Sequence, residues 1–412
     1  MIEGPIQTNN NGLVFYFDTK EPKSYVGEPT TNRNQQISNY TGTNYADGSH
    51  GGEWTSNPTR FTKTYNGSII TPIGFGATLC SESGTAGFHH LSSMGGGEES
   101  GAHSISCYVK PLNSITDFTI GMLGDGSNQV SFNLSTKAIT YGGGISNRNA
   151  FCVEVSGFPG WLYVGANIEG RAGGWVGCVG ISTHSSYTPT TPYKTFYITG
   201  LQYEYKVAPT KFTVGTRSNT QGLLDLTGNC TIDLTYAAYN SSSEITFNGS
   251  SRFTSSNAIF NRSNGQEITV TCWMKTARNA GQYQIIAENR SFDTSLYNWI
   301  LYQHTDNGAI SFHGIAQNKS TYIPPLNQWI YVANTVTSGG VSTLYINGVS
   351  TYVATGYTYG NSTTPSLLCV GGDGNGAECI QGSIDTVAIY NRALSASEIL
   401  KNFNSQRSRY SV

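Results

Sequence analysis

The chain closes on Gly382-Ser383-Ile384-Asp385-Thr386-Val387-Ala388-Ile389-Tyr390-Asn391-Arg392-Ala393-Leu394-Ser395, and this segment constrains the fold more than any other. Ile384, Val387, Ile389 and Tyr390 supply the apolar residues of one strand. Ser395 and Glu398 then stand at capping-box spacing before a short helix that has Ile399, Leu400 and Phe403 on one side. Upstream, strand signals recur and helix signals hardly occur. Leu13-Val14-Phe15-Tyr16-Phe17, Trp161-Leu162-Tyr163-Val164, Phe196-Tyr197-Ile198 and Thr343-Leu344-Tyr345-Ile346 are compact β runs. Gly, Asn and Ser punctuate them, and Asn347-Gly348 reads as a two-residue hairpin turn. The expected class is all-β: two jelly-roll β-sandwiches with one short C-terminal helix.

A length of 412 residues suits about two domains rather than one core. Only 12% of residues are charged, about half the usual share, and Gly, Ser, Thr, Asn and Tyr take their place. The net charge is −2 and no basic run occurs, which argues against a nucleic-acid partner. Aromatic residues at 12% can build cores, so this is not the composition of a disordered chain. No apolar stretch approaches ~20 residues, so no membrane insertion is expected. Met1–Gln7 lacks the basic and apolar regions of a signal peptide. Eight cysteines form no CxxC pair. Cys107 and Cys272 lie in apolar runs and read as buried thiols, whereas Cys369 and Cys379 flank a Gly-rich turn and could face each other across a hairpin.

Two short matches recur at nearly one offset. Ser104–Lys110 (SISCYVK) resembles Thr269–Lys275 (TVTCWMK), 165 residues on, and Trp161–Val164 resembles Trp329–Val332, 168 residues on. A nearly constant offset argues for two sandwiches of one architecture. Asn11–Lys23 reads as an opening strand whose continuation, Thr220–Asn229, comes almost two hundred residues later. The organisation expected is a discontinuous domain of residues 1–32 and 216–412, with a second jelly roll, 33–215, inserted into its first loop. Tandem sandwiches 1–215 and 216–412 are the plainer alternative.

The closing strand and helix, with Ile245-Thr246-Phe247-Asn248-Gly249, Thr269–Lys275, Trp329–Val332 and Leu344–Gly348, resemble the laminin-G-like, concanavalin A-like superfamily. Lys110-Pro111 and Thr195–Glu204 are similar to jelly rolls of the carbohydrate-binding-module type. The combination, with junctions Gly27–Asn32 and Gly215–Asp225, resembles structural proteins of tailed bacteriophages. That resemblance implies a virion surface protein on a tail fibre, baseplate or capsid exterior. Its partners would be other virion proteins and host or environmental glycans, and it would form a homo-oligomer in the particle. Many laminin-G-like members hold calcium in an Asp-rich rim loop. Here Phe247–Phe253 has Asn248 and Arg252 where acids often stand, which argues against calcium, and no other cofactor is expected.

Glycan cleavage by a concanavalin-like sandwich needs two carboxylates on one strand face. No Glu-x-Asp-x-x-Glu alternation occurs, and Glu154 and Glu169 stand alone, so no catalytic residue and no enzyme is expected. Phe88-His89-His90, Glu98-Glu99 and His103 gather potential metal ligands, but Ser92–Gly97 reads as a mobile loop among them. In the Gly-rich turn Val370–Glu378, Asp373, Asn375 and Glu378 could coordinate a cation or a sugar hydroxyl; tight-turn chemistry explains the same composition. Trp161, Trp273 and Trp329 read as core. Tyr302, Tyr352, Tyr357 and Tyr359 read as exposed, and Tyr302, Tyr357 and Tyr359 are the expected sugar-stacking residues. The function expected is glycan or host adhesion from a virion surface. The alternatives are a purely structural assembly part and a glycan-cleaving enzyme.

Overall fold

A computed structural model describes residues 10–31, 61–92, 101–113, 117–122, 125–142, 149–170, 177–213, 215–240, 244–255, 260–278, 281–290, 297–314, 317–360 and 367–412. The architecture is all-β with one short C-terminal helix. The chain divides into two compact units: one of Met1–Pro29, Ser218–Asn240 and Glu244–Val412, the other of Thr30–Arg217.

In the first unit, one antiparallel sheet runs in the order Ala238–Tyr239, Ile245–Asn248, Gln381–Tyr390, Ile268–Thr276, Ile330–Val336, Ser342–Ile346, Val349–Ala354; Leu13–Asp18 also pairs with Gln381–Tyr390. The closing strand therefore lies inside the sheet, between the N-terminal Leu13–Asp18, Ile245–Asn248 and Ile268–Thr276. The second sheet runs Ile232–Asp233, Phe253–Ser255, Leu367–Val370, Gln284–Arg290, Tyr297–Gln303, Ile310–His313, Gln317–Lys319. Phe15, Phe17, Phe247, Phe253, Cys272, Met274, Trp299, Leu301 and Phe312 belong to one buried core.

Ile268–Thr276 is buried on both faces because both are covered. Cys272 and Met274 join the inter-sheet core, while Trp273 joins a second cluster with Tyr331, Tyr390, Ile399, Phe403 and Tyr410. The C-terminal helix Ala396–Gln406 supplies that cover. Ser395 caps it by accepting the Glu398 N–H, and Glu398 returns to the Ser395 N–H at 2.9 Å. Trp273 stacks on Tyr410 at 4.0 Å and donates its indole N–H to Gln406 at 2.7 Å. Leu400, expected on the apolar side, is exposed; Asn402 and Gln406 take buried places because each meets a polar partner, Tyr390 Oη and the Trp273 indole. Asn347 and Gly348 both hold positive φ, +50° and +80°, as a primed two-residue turn requires.

The second unit also has two antiparallel sheets. One runs Phe151–Glu154, Leu162–Gly170, Gly101–Asn113, Thr195–Glu204, Ala77–Glu82, Phe61–Asn66. The other runs Gly87–Ser92, Gly177–Tyr187, Asp117–Met122, Asp125–Asn133, Ile139–Tyr141. Its core holds Cys80, Ile105, Cys107, Val109, Phe118, Phe132, Val164 and Phe196.

The sequence repeat falls on equivalent strand pairs. Cys107 lies opposite Val164 in one unit and Cys272 opposite Val332 in the other, both antiparallel. Tyr108–Tyr163 and Trp273–Tyr331 are the neighbouring rungs. In each unit the Cys strand is flanked on its other edge by a long ten-residue strand, Thr195–Glu204 or Gln381–Tyr390.

Candidate functional site

Adjacent residues of one strand point to opposite faces of a sheet, so each strand of the first unit's second sheet presents two chemistries. Trp299 and Leu301 face the core, which turns Ile300 and Tyr302 outward. On the neighbouring strand Ile285 pairs with Tyr302 and Glu288 with Ile300, while Ala287 pairs with the inward Leu301. A bulge between Ile285 and Ala287 puts Ile286 and Ala287 both in the core, and so restores Glu288 and Arg290 to the outer face. His313 lies opposite Ile300 on the other side.

The turn after Leu367–Val370 folds against this face. The Ile285 N–H donates to the Glu378 carbonyl at 2.8 Å, and the Gly371 N–H to the Ile286 carbonyl at 3.0 Å. Glu378 is thereby carried to the edge of the outer face. Tyr283, Ile285, Arg290, Ile300, Tyr302, His313 and Glu378 line a cleft of about 160 Å³. Ile285, Ile300 and Tyr302 are its buried apolar floor, with Tyr283 packed against them; the Tyr283 and Tyr302 rings are 5.7 Å apart. Tyr302 and His313 rings are 6.1 Å apart.

One end of the cleft is ionic. Arg290 Nε stands 3.1 Å from Glu288 Oε2, Nη1 3.6 Å from Asp373 Oδ2 and Nη2 3.3 Å from Glu378 Oε2. The Glu288 side chain is fully buried, while Arg290 and Glu378 keep 20% and 30% exposed. Burial pushes the Glu288 carboxyl up to about 8, with Asp373 and Glu378 adding to the rise and Arg290 opposing it.

The expected site residues divide around this geometry. Glu378 and Tyr302 both line the cleft. Asp373 is buried at its back, where Oδ1 accepts the Ala377 N–H at 2.6 Å and Oδ2 faces Arg290. Asn375 is exposed at the tip of the turn. Tyr357 and Tyr359 are not exposed stacking faces: they are 4% and 3% exposed and belong to the inter-sheet core. Tyr357 packs 5.5 Å from Phe312, and Tyr359 donates its hydroxyl to the Gln266 carbonyl at 2.9 Å, so carbonyl and ring partners draw both inward. Tyr302 too is only 3% exposed; it forms the floor of a recess, not a free surface ring.

Other candidate chemistry resolves into structure. Gly87–Ser92 is a strand, so this part of the His-rich segment is no loop. His89 is buried there with its Nδ1 3.4 Å from Glu82; Glu98 and Glu99 lie outside the described residues. His103 meets Tyr203. Among the described residues no group of three or more His, Cys, Asp or Glu is placed to hold a metal ion. In the rim loop, Arg252 stacks 4.0 Å over Tyr236 and donates to the Gly374 carbonyl at 3.0 Å. Cys369 and Cys379 are free thiols and do not face each other. Cys369 lies opposite Glu288 and Cys379 opposite Ile285, on different rungs of the same strand. Glu154 is exposed and ion-paired with Lys137 at 2.7 Å. Trp161 and Trp273 are buried, whereas Trp329 is half-buried beneath the Lys20 and Lys275 ammonium groups, 5.0 and 5.1 Å from its ring.

Sequence reasoning missed Tyr283, Ile285, Glu288, Arg290, Ile300 and His313. Alternation through Asn298–Gln303 could have assigned Ile300 and Tyr302 to one face. The bulge at Ile285 hides the rest.

The first unit is a two-sheet β-sandwich. Residues 247–400 match the laminin-G family model described as the concanavalin A-like lectin/glucanases superfamily. Three of the similar solved structures are as follows. One is domain 4 of AbnA, a GH43 extracellular arabinanase from Geobacillus stearothermophilus, in complex with arabinotriose: 20% identity, 45% of this chain, 92% of that one, TM-score 0.36. Another is the binding domain of botulinum neurotoxin serotype D, with 16% identity, 46% and 50% coverage and TM-score 0.35. The third is the binding domain of Paraclostridial Mosquitocidal Protein 1, with 22% identity, 44% and 49% coverage and TM-score 0.35. The chain spans about half the length of these last two. No curated protein sequence matches it.

Proposed function

We propose that this protein is a non-catalytic, glycan-binding surface component of a tailed-bacteriophage particle. It would be carried on a tail fibre, baseplate or capsid exterior as a homo-oligomer among other virion proteins. The cleft carries the glycan half of this reading. An apolar floor of Ile285, Ile300 and Tyr302 offers a surface for the C–H face of a sugar ring. Beside it, Arg290 Nη2 donates to Glu378 Oε2 at 3.3 Å, and the 30%-exposed Glu378 carboxylate offers an acceptor to a sugar hydroxyl. Repetition of weak contacts over many copies would supply avidity. The low-charge, hydroxyl- and amide-rich composition and the resemblance to phage structural proteins support the virion half.

The non-catalytic reading rests on the carboxylates. Glu288 is fully buried and shares one guanidinium with Asp373 and Glu378, so it is not open to a glycosidic oxygen. The test is a glycan array with the intact protein, paired with antibody-gold labelling of purified particles and a reducing-end assay on bound polysaccharides. Binding without reducing ends, with label on particles, is the expected result. Particles without label reject the virion role; released reducing ends reject the non-catalytic one; an array without binding leaves the assembly-part alternative.

A further inference from the structure

Resting on the lectin reading, we propose that the cleft takes one uncharged sugar ring and turns away carboxylated sugars. Size sets the first half. A cleft of about 160 Å³ compares with the ~150 Å³ apolar cavity that holds one benzene, so it has room for one six-membered ring. The rest of an oligosaccharide would extend into solvent.

Charge sets the second half. Recognition of a sugar carboxylate calls for a guanidinium fork free to meet it with two parallel N–H donors. In this cleft each nitrogen of Arg290 already faces a protein carboxylate, Nε towards Glu288, Nη1 towards Asp373 and Nη2 towards Glu378, at 3.1, 3.6 and 3.3 Å. Among the described lining residues Arg290 is the one Lys or Arg, and its charge is met by Asp373 and Glu378 as well as by the buried Glu288. A uronate seated on Tyr302 would bring its own carboxylate beside Glu378, and like charges across a contact are a strong element of discrimination. A neutral ring meets no such opposition. Its hydroxyls can donate to the 30%-exposed Glu378 carboxylate.

The experiment titrates the full chain with paired probes by isothermal calorimetry: methyl glucoside against methyl glucuronide, and methyl galactoside against methyl galacturonide. Each pair is run at low salt and at about 0.15 M salt. The expected result is binding of at least one neutral glycoside, with its uronate at least about tenfold weaker. The gap narrows at the higher salt and narrows again in Glu378→Gln, which keeps the shape and removes one charge. Thermal melting of that variant checks its fold. A uronate that binds as tightly as its neutral partner, or a gap unchanged in Glu378→Gln, overturns the charge selection while leaving a lectin. Binding of neither class overturns the lectin reading and this inference with it.

Discussion

The two faces of the strand pair Gln284–Arg290 and Tyr297–Gln303 are almost equally dry and chemically opposite. Inward, Ile286, Ala287, Trp299 and Leu301 are 0% exposed and meet only an apolar core. Outward, Ile285, Glu288, Ile300 and Tyr302 are 0–4% exposed, yet they surround a cleft with Arg290, His313 and Glu378. Burial of apolar surface stabilises the first face. Burial of Glu288 costs free energy that Arg290 must offset, because a charge taken from water is recovered only by close partners. A fold needs the first arrangement; nothing in the packing of a sandwich needs the second. On that contrast rests our proposal that the outer face is the functional one.

The largest expected effect breaks the inner face. Trp299→Ala removes a ring stacked on Phe312 and an indole N–H bond to the Phe260 carbonyl at 3.1 Å. It should lower stability by about 3–5 kcal/mol in chemical denaturation. Next comes Arg290→Met, which leaves Glu288 buried with its ionic partner gone; a loss of about 3 kcal/mol is expected at pH 9. Much of that loss should vanish in the Glu288→Gln background, which a double-mutant cycle reads directly.

A third effect is a pH dependence. The Glu288 carboxyl is raised in the fold, mainly by burial, from 4.5 to about 8. A group with a raised folded value favours the fold fully below its unfolded value and loses that contribution as pH climbs through the folded one. Thermal stability should therefore fall between about pH 4.5 and 8 from this group, and Glu288→Gln should flatten that fall, standing above the wild type at pH 9 and level with it at pH 4. The smallest effect on stability belongs to Tyr283→Ala. Tyr283 is half-buried at the cleft's edge, so the melting point should shift by no more than a few degrees while glycan binding weakens at least about tenfold.

Much of the fold is legible in the chain because it rests on local signals. The capping box at Ser395, the Asn347-Gly348 turn and the Cys-bearing strands at a near-constant offset each report their own structure through nearest neighbours. The cleft is not local. It joins a bulged strand to a turn some ninety residues on, and a bulge shifts the side-chain alternation on which face assignment depends. Tyr357 and Tyr359 show the same limit from the other side. In Gly356–Gly360 no period marks a buried face, and only the distant Phe312 and Gln266 explain why both rings turn inward. Glu378 and Tyr302 are visible as single residues; that they share one recess is a fact of tertiary structure.

The central claim, that the outer face of this sheet binds sugar, is tested most directly by calorimetric titration of one array-positive glycan into wild type and Tyr283→Ala. The melting curves of both proteins are measured alongside. The account predicts at least about tenfold weaker binding in the variant at a nearly unchanged melting point. Undiminished affinity in a folded Tyr283→Ala protein would contradict it and move the binding surface away from this cleft.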